Sequence, residues 1–280
     1  MAKGWLCYSD TQFRISPRSN HLTPPGSVNW KKRNLGKISS SAFVKSGNFG
    51  QCEDCEEETW GKLCNRILFV SNTTDEKLPI LTVDVVEGRD KLWLKTRKAF
   101  EWIYKKALND FDWFLKADDD TYFHMDNLRT FLKTFSPKIP LSIGHQFKRF
   151  GEHSIYHSGG AGYILNREAV KRLVSKGFAR DAYCNQKTNH EDLSMGRCLY
   201  SLGVKSIDGA DENGAYRFHP IAIWDLLHNN VPEWLLDRST TRMNKKFCCS
   251  PYFISMHYVD GEYQYLLDYI IHRLKPYGVH

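Results

Sequence analysis

Short apolar runs alternate with segments that repeat apolar residues at helical spacing from residue 66 onward. Runs rich in β-branched and aromatic residues predict strands at residues 66–71, 80–86, 111–117, 140–146, 161–165 and 204–208. A period of about 3.6 residues predicts helices at residues 91–109, 126–135, 167–176, 191–202 and 263–274. Strands that alternate with helices in this way imply an α/β fold, with a mostly parallel sheet flanked by helices.

Residues 1–57 do not follow this alternation. Residues 1–50 contain eight basic residues and one acid, so they account for the whole net charge of +7 and the other 230 residues are balanced. A basic head fits a nucleic-acid-binding arm, but Pro, Ser, Asn and Gly interrupt it throughout, which favours a solvated segment without fixed structure. We therefore expect a basic N-terminal segment over residues 1–57 and one α/β domain over residues 58–280, with no nucleic-acid partner.

The composition, with 41% hydrophobic and 14% aromatic residues, is typical of a globular protein. No apolar run approaches the ~18 residues that cross a bilayer, and the first residues lack a signal-peptide core, so no transmembrane segment is expected in this chain. Asn72-Thr73-Thr74 is a glycosylation sequence and agrees with a lumenal setting.

Eight cysteines favour disulfides formed in a secretory compartment. Cys184 and Cys198 are expected to form one bridge, with Cys248 and Cys249 each paired elsewhere. The spacing Cys52-x-x-Cys55 leaves a zinc site as the alternative, although a structural zinc site needs four ligands at known spacings.

Three consecutive carboxylates, Asp118 to Asp120, end the apolar run 111–117. Ligands of open α/β sheets gather outside the carboxyl ends of strands, and carboxylates crowded there repel one another unless a cation binds between them. Hard oxygen ligands suit Mg²⁺ or Mn²⁺, and such an ion can stabilise a diphosphate as a leaving group. The alternative is a solvated acidic turn that caps the next helix.

Three other segments carry candidate chemistry, each with a structural alternative. Residues 158–163 contain three glycines, which allow a plain tight turn or a close approach to a ligand. Glu191 and Asp192 open the helix 191–202, where acids stabilise a first turn or supply a general base. His257 lies in an aromatic run and is either a hydrogen-bonded core residue or the ligand that completes a site begun by two aspartates.

Taken together, these segments resemble one family. Residues 87–93, 112–122, 158–163, 191–192 with 196–199, 248–250 and 257–259 occur in the order seen in core 1 β1,3-galactosyltransferases, which belong to the Fringe-like β1,3-glycosyltransferase group. Residues 59–65 are also similar, and the likeness covers about residues 58–278. The resemblance implies a GT-A type of α/β fold. It also implies an inverting transfer of galactose from UDP-galactose to the 3-hydroxyl of N-acetylgalactosamine linked to Ser or Thr of a glycoprotein.

The resemblance further implies roles for individual residues. Asp118, Asp120 and His257 would coordinate Mn²⁺, and Asp192 would act as the base toward the attacking hydroxyl. The UDP-sugar would bind near Glu87, Gly88, Arg89, Lys95, Asp118 and Tyr258. By the same likeness the protein is expected in the Golgi or secretory-pathway lumen and as a homodimer. Family members carry a membrane anchor, which this chain is expected to lack.

Three features of the chain depart from the family. The first nucleotide-binding strand is expected at residues 33–40, which contain no convincing strand; Leu94 stands in place of a glycine; and residues 221–247 differ most. The alternative function is therefore a catalytically inactive lumenal homologue that acts as a binding or folding partner of the active enzyme. The retained aspartates favour the active enzyme, because a folding partner has no need of them.

Overall fold

The computed structural model describes residues 53–86, 88–149, 151–186, 189–243, 248–275 and 277. The predicted N-terminal segment lies outside these ranges up to residue 52, and so does the expected position of the first strand, residues 33–40. Residues 53–57 belong to helix α1 (Glu53–Glu58). The chain that follows this helix contacts a C-terminal helix, because the Thr59 hydroxyl and the Trp60 indole N–H both donate to Gln264 Oε1, at 3.3 and 3.2 Å.

The secondary structure follows the predicted alternation. The other helices are α2 (Leu92–Lys106), α3 (Met125–Leu132), α4 (Arg167–Arg172), α5 (Glu191–Ser201), α6 (Ile223–Leu227), α7 (Glu233–Arg238) and α8 (Gly261–Asp268). The strands are β1 (Phe69–Ser71), β2 (Ile80–Thr82), β3 (Trp113–Lys116), β4 (Tyr122–Phe123), β5 (Leu141–Gly144), β6 (Gln146–Lys148), β7 (Ile155–His157), β8 (Tyr163–Asn166), β9 (Lys205–Asp208), β10 (Phe218–His219) and β11 (Ser255–Met256). Single-turn 3₁₀ helices form at Gly61–Leu63 and Arg89–Lys91, and π-helical turns at Leu173–Phe178 and Tyr269–Arg273 extend α4 and α8.

The α/β class with helices around the sheets is confirmed, but the strands are less parallel than predicted. The central sheet has the order β3-β8-β5-β9, in which β8 is antiparallel to both neighbours and β5 is parallel to β9. Among the described residues, four of the seven pairs of named strands are antiparallel. Parallel neighbouring strands need a crossover connection, which is usually a helix. Helices lie between β5 and its parallel neighbour β9 along the chain, whereas the β6–β7 hairpin lies between β5 and its antiparallel neighbour β8.

Strand β3 packs between two apolar clusters. All four of its residues are buried, and successive side chains point to opposite faces, as a strand requires. Trp113 and Leu115 therefore pack in one apolar cluster, whereas Phe114 packs in another, with Phe100 of α2 and Leu165 of β8. A strand buried on both faces has a nearly continuous apolar sequence, and β3 ends two residues before Asp118.

The disulfides confirm one of the cysteine predictions and contradict another. The Cys184–Cys198 bridge is present, as predicted. Cys248 and Cys249, which are adjacent in the sequence, are bonded to each other. The prediction that each of them pairs with a cysteine elsewhere is therefore wrong. Cys55 is disulfide-bonded, which removes it as a thiolate ligand for zinc.

Within the described part of the chain, no helix is both long enough and apolar enough to cross a membrane.

Candidate active site

A cavity of about 810 Å³ opens at the C-terminal end of β3. Asp118, Asp119 and Asp120 form one wall. The other walls come from the turn Arg89–Lys91, the glycine-rich turn before β8, the first turn of α5, and the segment after β11. This is the place where open α/β sheets bind ligands, outside the carboxyl end of a strand.

Two aspartates and one histidine lie together in this cavity. Asp118, Asp120 and His257 each offer one ligand atom, and the three atoms lie within 4.8 Å of one another. His257 Nε2 is 3.3 Å from Asp120 Oδ1, and His257 Nδ1 is 3.0 Å from the Pro220 carbonyl oxygen. A proton on Nδ1 donated to that carbonyl leaves Nε2 with a lone pair that faces the carboxylates, which is the arrangement of a metal-binding imidazole. The donor set of two carboxylates and one imidazole fits a divalent cation such as Mn²⁺.

The pairing of short strands explains how His257 reaches aspartates far away in the sequence. β11 is antiparallel to β4, with Met256 opposite Tyr122, so the residue after β11 lies beside the residues before β4. The Val259 N–H donates to the Asp120 carbonyl oxygen at 2.8 Å and fixes this register. Burial is the largest influence on the pKa of His257 and lowers it, but the hydrogen bond and charge of Asp120, the Pro220 carbonyl group and the charge of Asp118 together raise that pKa above its usual value.

The solvated-cap alternative for the aspartates is wrong. Helix α3 is capped by His124, whose ring nitrogen accepts the Asn127 N–H at 3.4 Å. The three aspartates end before this cap. They are partly buried in the cavity wall.

The glycine-rich turn lies directly under the His257 ring. A Cβ atom on Gly160 would be 2.1 Å from His257 Cε1, so no larger residue fits there without a shift. The Thr121 hydroxyl donates to the Gly160 carbonyl oxygen at 2.7 Å and holds the turn in place. Gly162 has φ +72°, a left-handed conformation that favours glycine, and a Cβ there would be 2.5 Å from Phe123. The turn therefore approaches the imidazole closely, whereas its predicted close approach to a ligand stays a prediction.

A buried lysine, which the sequence interpretation missed, connects the aspartates to α5. Lys116 is 2% exposed; its ammonium group bonds the Asp118 carboxylate and lies 3.9 Å from Glu191 Oε2. Burial opposes its charge, but Asp118 and Glu191 hold the pKa of Lys116 well above its usual value. Glu191 also accepts the Tyr163 hydroxyl at 2.7 Å. A lysine inside an otherwise apolar strand, two positions before the first aspartate, is the signal that could have pointed to this cluster.

Asp192 lies in the first turn of α5 and lines the same cavity. It is partly exposed, and its Oδ1 accepts the N–H of Leu193 at 2.8 Å. Burial raises the pKa of Asp192 above its usual value, toward the range in which a carboxylate works as a general base. The glycine turn reaches this group as well, since a Cβ on Gly159 would lie 3.4 Å from Asp192 Cβ.

The residues expected near the UDP-sugar fall into three groups: three line the cavity, two lie outside its wall, and one is outside the described residues. Arg89, Asp118 and Tyr258 line the cavity, and the Tyr258 ring is stacked on His257 with 3.9 Å between centroids. Gly88 precedes the turn Arg89–Lys91 and lies outside the cavity wall. Lys95 is buried on α2, also away from the wall, and Glu87 lies outside the described residues.

Comparison with known proteins identifies a family and one strong likeness. The Fringe-like family model matches residues 55–211, more than half of the chain. The glycoprotein-N-acetylgalactosamine 3-beta-galactosyltransferase 1 of Xenopus laevis is 39% identical over 227 residues, which cover 79% of this chain and 62% of that protein. The chain thus spans less than two thirds of the length of that relative.

Two weaker likenesses accompany it. Chondroitin sulfate synthase 3 of Homo sapiens is 28% identical over 164 residues, covering 52% of this chain and 18% of that protein. A solved structure of a glycosyltransferase involved in the glycosylation of the major capsid of PBCV-1 aligns with a TM-score of 0.39 at 12% identity, over 63% of this chain and 82% of that one. The family assignment rests on the family model alone: this chain belongs to the Fringe-like family.

Proposed function

We propose that this chain is a metal-dependent, inverting β1,3-galactosyltransferase. Its donor is UDP-galactose, and its acceptor is the 3-hydroxyl of O-linked N-acetylgalactosamine on glycoproteins. One observation carries the proposal: three ligand atoms of Asp118, Asp120 and His257 lie within 4.8 Å of one another in the cavity that Asp192 also lines. The choice of donor and acceptor follows the name of the Xenopus relative, which shares 39% identity.

Asp118, Asp120 and His257 are the residues that would hold Mn²⁺. When bound, the ion would neutralise negative charge on the diphosphate of the leaving UDP. The protein prepares the site by fixing the His257 ring between the Pro220 carbonyl group and Gly160. Arg89, in the wall of the same cavity, adds a positive charge for the phosphate groups.

Asp192 supplies the proton acceptor of the reaction. The acceptor oxygen forms a bond to the anomeric carbon of galactose while the bond from that carbon to the diphosphate oxygen breaks. The hydroxyl proton passes to the Asp192 carboxylate, and the electron pair of the broken bond leaves with UDP. One displacement from the face opposite the leaving group inverts the configuration, and the cavity contributes by holding both substrates in line.

The test is galactose transfer from UDP-galactose to a peptide that carries O-linked N-acetylgalactosamine, with Mn²⁺ or with EDTA. We expect product only with the metal, and loss of product in Asp118→Ala and Asp192→Asn. Asn109→Ala, away from the cavity, serves as the matched control. Transfer that persists in EDTA would refute the metal assignment. UDP binding without transfer would favour the inactive homologue instead.

The setting of the protein is part of the proposal. Cys184–Cys198 and Cys248–Cys249 are disulfides, and disulfides persist in the lumen of the secretory pathway but rarely in the cytosol. A glycoprotein acceptor is found in the same lumen. The expected homodimer stays a prediction, which sedimentation of the purified chain tests.

A further inference from the structure

We propose that Asn72 carries an N-linked oligosaccharide. Asn72-Thr73-Thr74 is the single Asn-x-Ser/Thr sequence of the whole chain. It follows β1 in the connection to β2, and all three of its residues are exposed. N-glycosylation needs this sequence on an accessible loop of a chain that passes through the secretory pathway.

The local contacts leave the two essential side chains accessible. The Ser71 hydroxyl accepts the Thr73 N–H at 3.2 Å and lies 3.3 Å from the Thr73 hydroxyl, so the middle residue is the one engaged with the strand. Within the described residues, neither the Asn72 amide nor the Thr74 hydroxyl has a hydrogen-bond partner. The residues that follow, Asp75 to Lys77, are exposed, so a large polar sugar at Asn72 would remain in solvent.

The inference depends on the compartment and not on the proposed activity. The full chain is expressed behind a cleavable signal peptide in a eukaryotic cell and treated with peptide N-glycosidase. We expect one step of increased mobility in the wild type, and none in Asn72→Gln or Thr74→Ala. Thr73→Ala keeps the sequence and should keep the step. A wild-type chain that contains the Cys184–Cys198 bridge but shows no step, or a step that survives Asn72→Gln, would refute the assignment.

A separate observation concerns Lys116 and rests on the proposed function. We infer that Lys116 is a positioning residue, which orients the metal ligand Asp118. Its ammonium group bonds Asp118 Oδ1, lies 3.4 Å from the Gly159 carbonyl oxygen, and lies 3.9 Å from Glu191 Oε2. One buried side chain therefore connects the end of β3, the glycine turn and the first turn of α5.

This contact fixes the rotation of the Asp118 carboxylate. With Oδ1 held by the ammonium group, Oδ2 is the oxygen left for a cation. Partners that orient metal ligands are typically worth about 10–100-fold in metal affinity. A positive charge beside a cation also repels it, so a lysine without an orienting role would weaken binding. The sign of the change on removing Lys116 separates the two effects.

The measurement is Mn²⁺ binding at pH 7, followed by the electron paramagnetic resonance of free Mn²⁺. Lys116→Met should bind Mn²⁺ about 10–100-fold more weakly, while Lys62→Met, whose lysine pairs with Asp268 far along the chain, should bind as the wild type does. Unchanged or tighter binding in Lys116→Met would refute the positioning role alone. A wild type that binds no Mn²⁺ would refute the proposed function as well. If Lys116→Met is unfolded, the double variant Lys116→Met with Glu191→Gln, in which Glu191 no longer carries a buried charge, is compared with Glu191→Gln alone.

Discussion

Gly160 and Gly159 are adjacent, yet a methyl group should be harmful on Gly160 and tolerated on Gly159. At position 160 the new Cβ would be 2.1 Å from His257 Cε1 and 2.4 Å from both ring nitrogens. At position 159 the nearest atoms are Asp192 Cβ at 3.4 Å and Lys116 Nζ at 3.7 Å, which are ordinary contacts. Neither glycine has a left-handed φ, so the backbone tolerates alanine at both positions.

The expected size of the effect at Gly160 follows from these distances. Carbon atoms in contact are about 3.5–4.0 Å apart, so the ring and the turn must separate by well over an ångström. The ring is held on its other sides by Pro220 at 3.0 Å and by Tyr258 at a centroid distance of 3.9 Å. Overpacking of this kind costs about 1–3 kcal/mol. Displacement of a ligand should also weaken Mn²⁺ binding by about tenfold or more.

Thermal unfolding and Mn²⁺ titration of both variants test this reasoning. Gly160→Ala should unfold earlier and bind Mn²⁺ more weakly, whereas Gly159→Ala should match the wild type or be slightly more stable, because alanine restricts the unfolded chain. Wild-type Mn²⁺ affinity in Gly160→Ala would show that the imidazole does not lie on this turn. Equal losses in both variants would show that the turn as a whole, and not the Gly160 contact, is what matters.

Two further predictions concern stability and pH. Burial lowers the pKa of His157 from 6.5 to about 4, so the unfolded chain binds a proton that the fold excludes between these values. Stability should therefore fall by roughly 2–3 kcal/mol as pH drops from 6.5 to 4. In urea unfolding His157→Gln should lack this part of the fall, and a variant whose stability depends on pH as the wild type's does would contradict the reasoning. Arg197 donates to both Glu152 oxygens, at 2.6 and 3.0 Å, and lowers the pKa of Glu152. Arg197→Ala should cost about 1 kcal/mol at pH 7, and the loss should vanish once acid protonates Glu152. Arg149→Ala, 3.7 Å from Glu152 and more exposed, is the control and should cost less.

Long elements with a clear period were predictable from the sequence. Helix α2 was predicted at residues 91–109 and spans Leu92–Lys106, with Ala99, Phe100 and Ile103 buried as expected. Strand β3 was recognisable because both of its faces are buried. Such elements are recognisable because an apolar face or run must be covered whatever the details of the tertiary structure.

Short elements were not predictable, because they take their form from tertiary pairing. β4 and β11 have two residues each, too few for any period, and they exist as a pair across the chain. The predicted strand 140–146 is divided into β5 and β6 at His145, whose side chain bonds Ser239 at 2.9 Å. The antiparallel insertion of β8 depends on a connection without a helix, which the apolar pattern does not reveal.

No single sequence motif was enough to predict the metal site, but several motifs taken together were. Acids in the first turn of a helix, a glycine turn and a histidine in an apolar run each have a common structural explanation. Position 257 is far along the chain from position 118, but the β4–β11 pair brings them together, and Gly160 lies against the ring that completes the cluster. A turn that served only to reverse the chain would not need glycine at the point where it meets an imidazole. The steric requirement at Gly160 therefore connects two motifs that the sequence could only place in order, and it makes the glycine turn part of the proposed metal site.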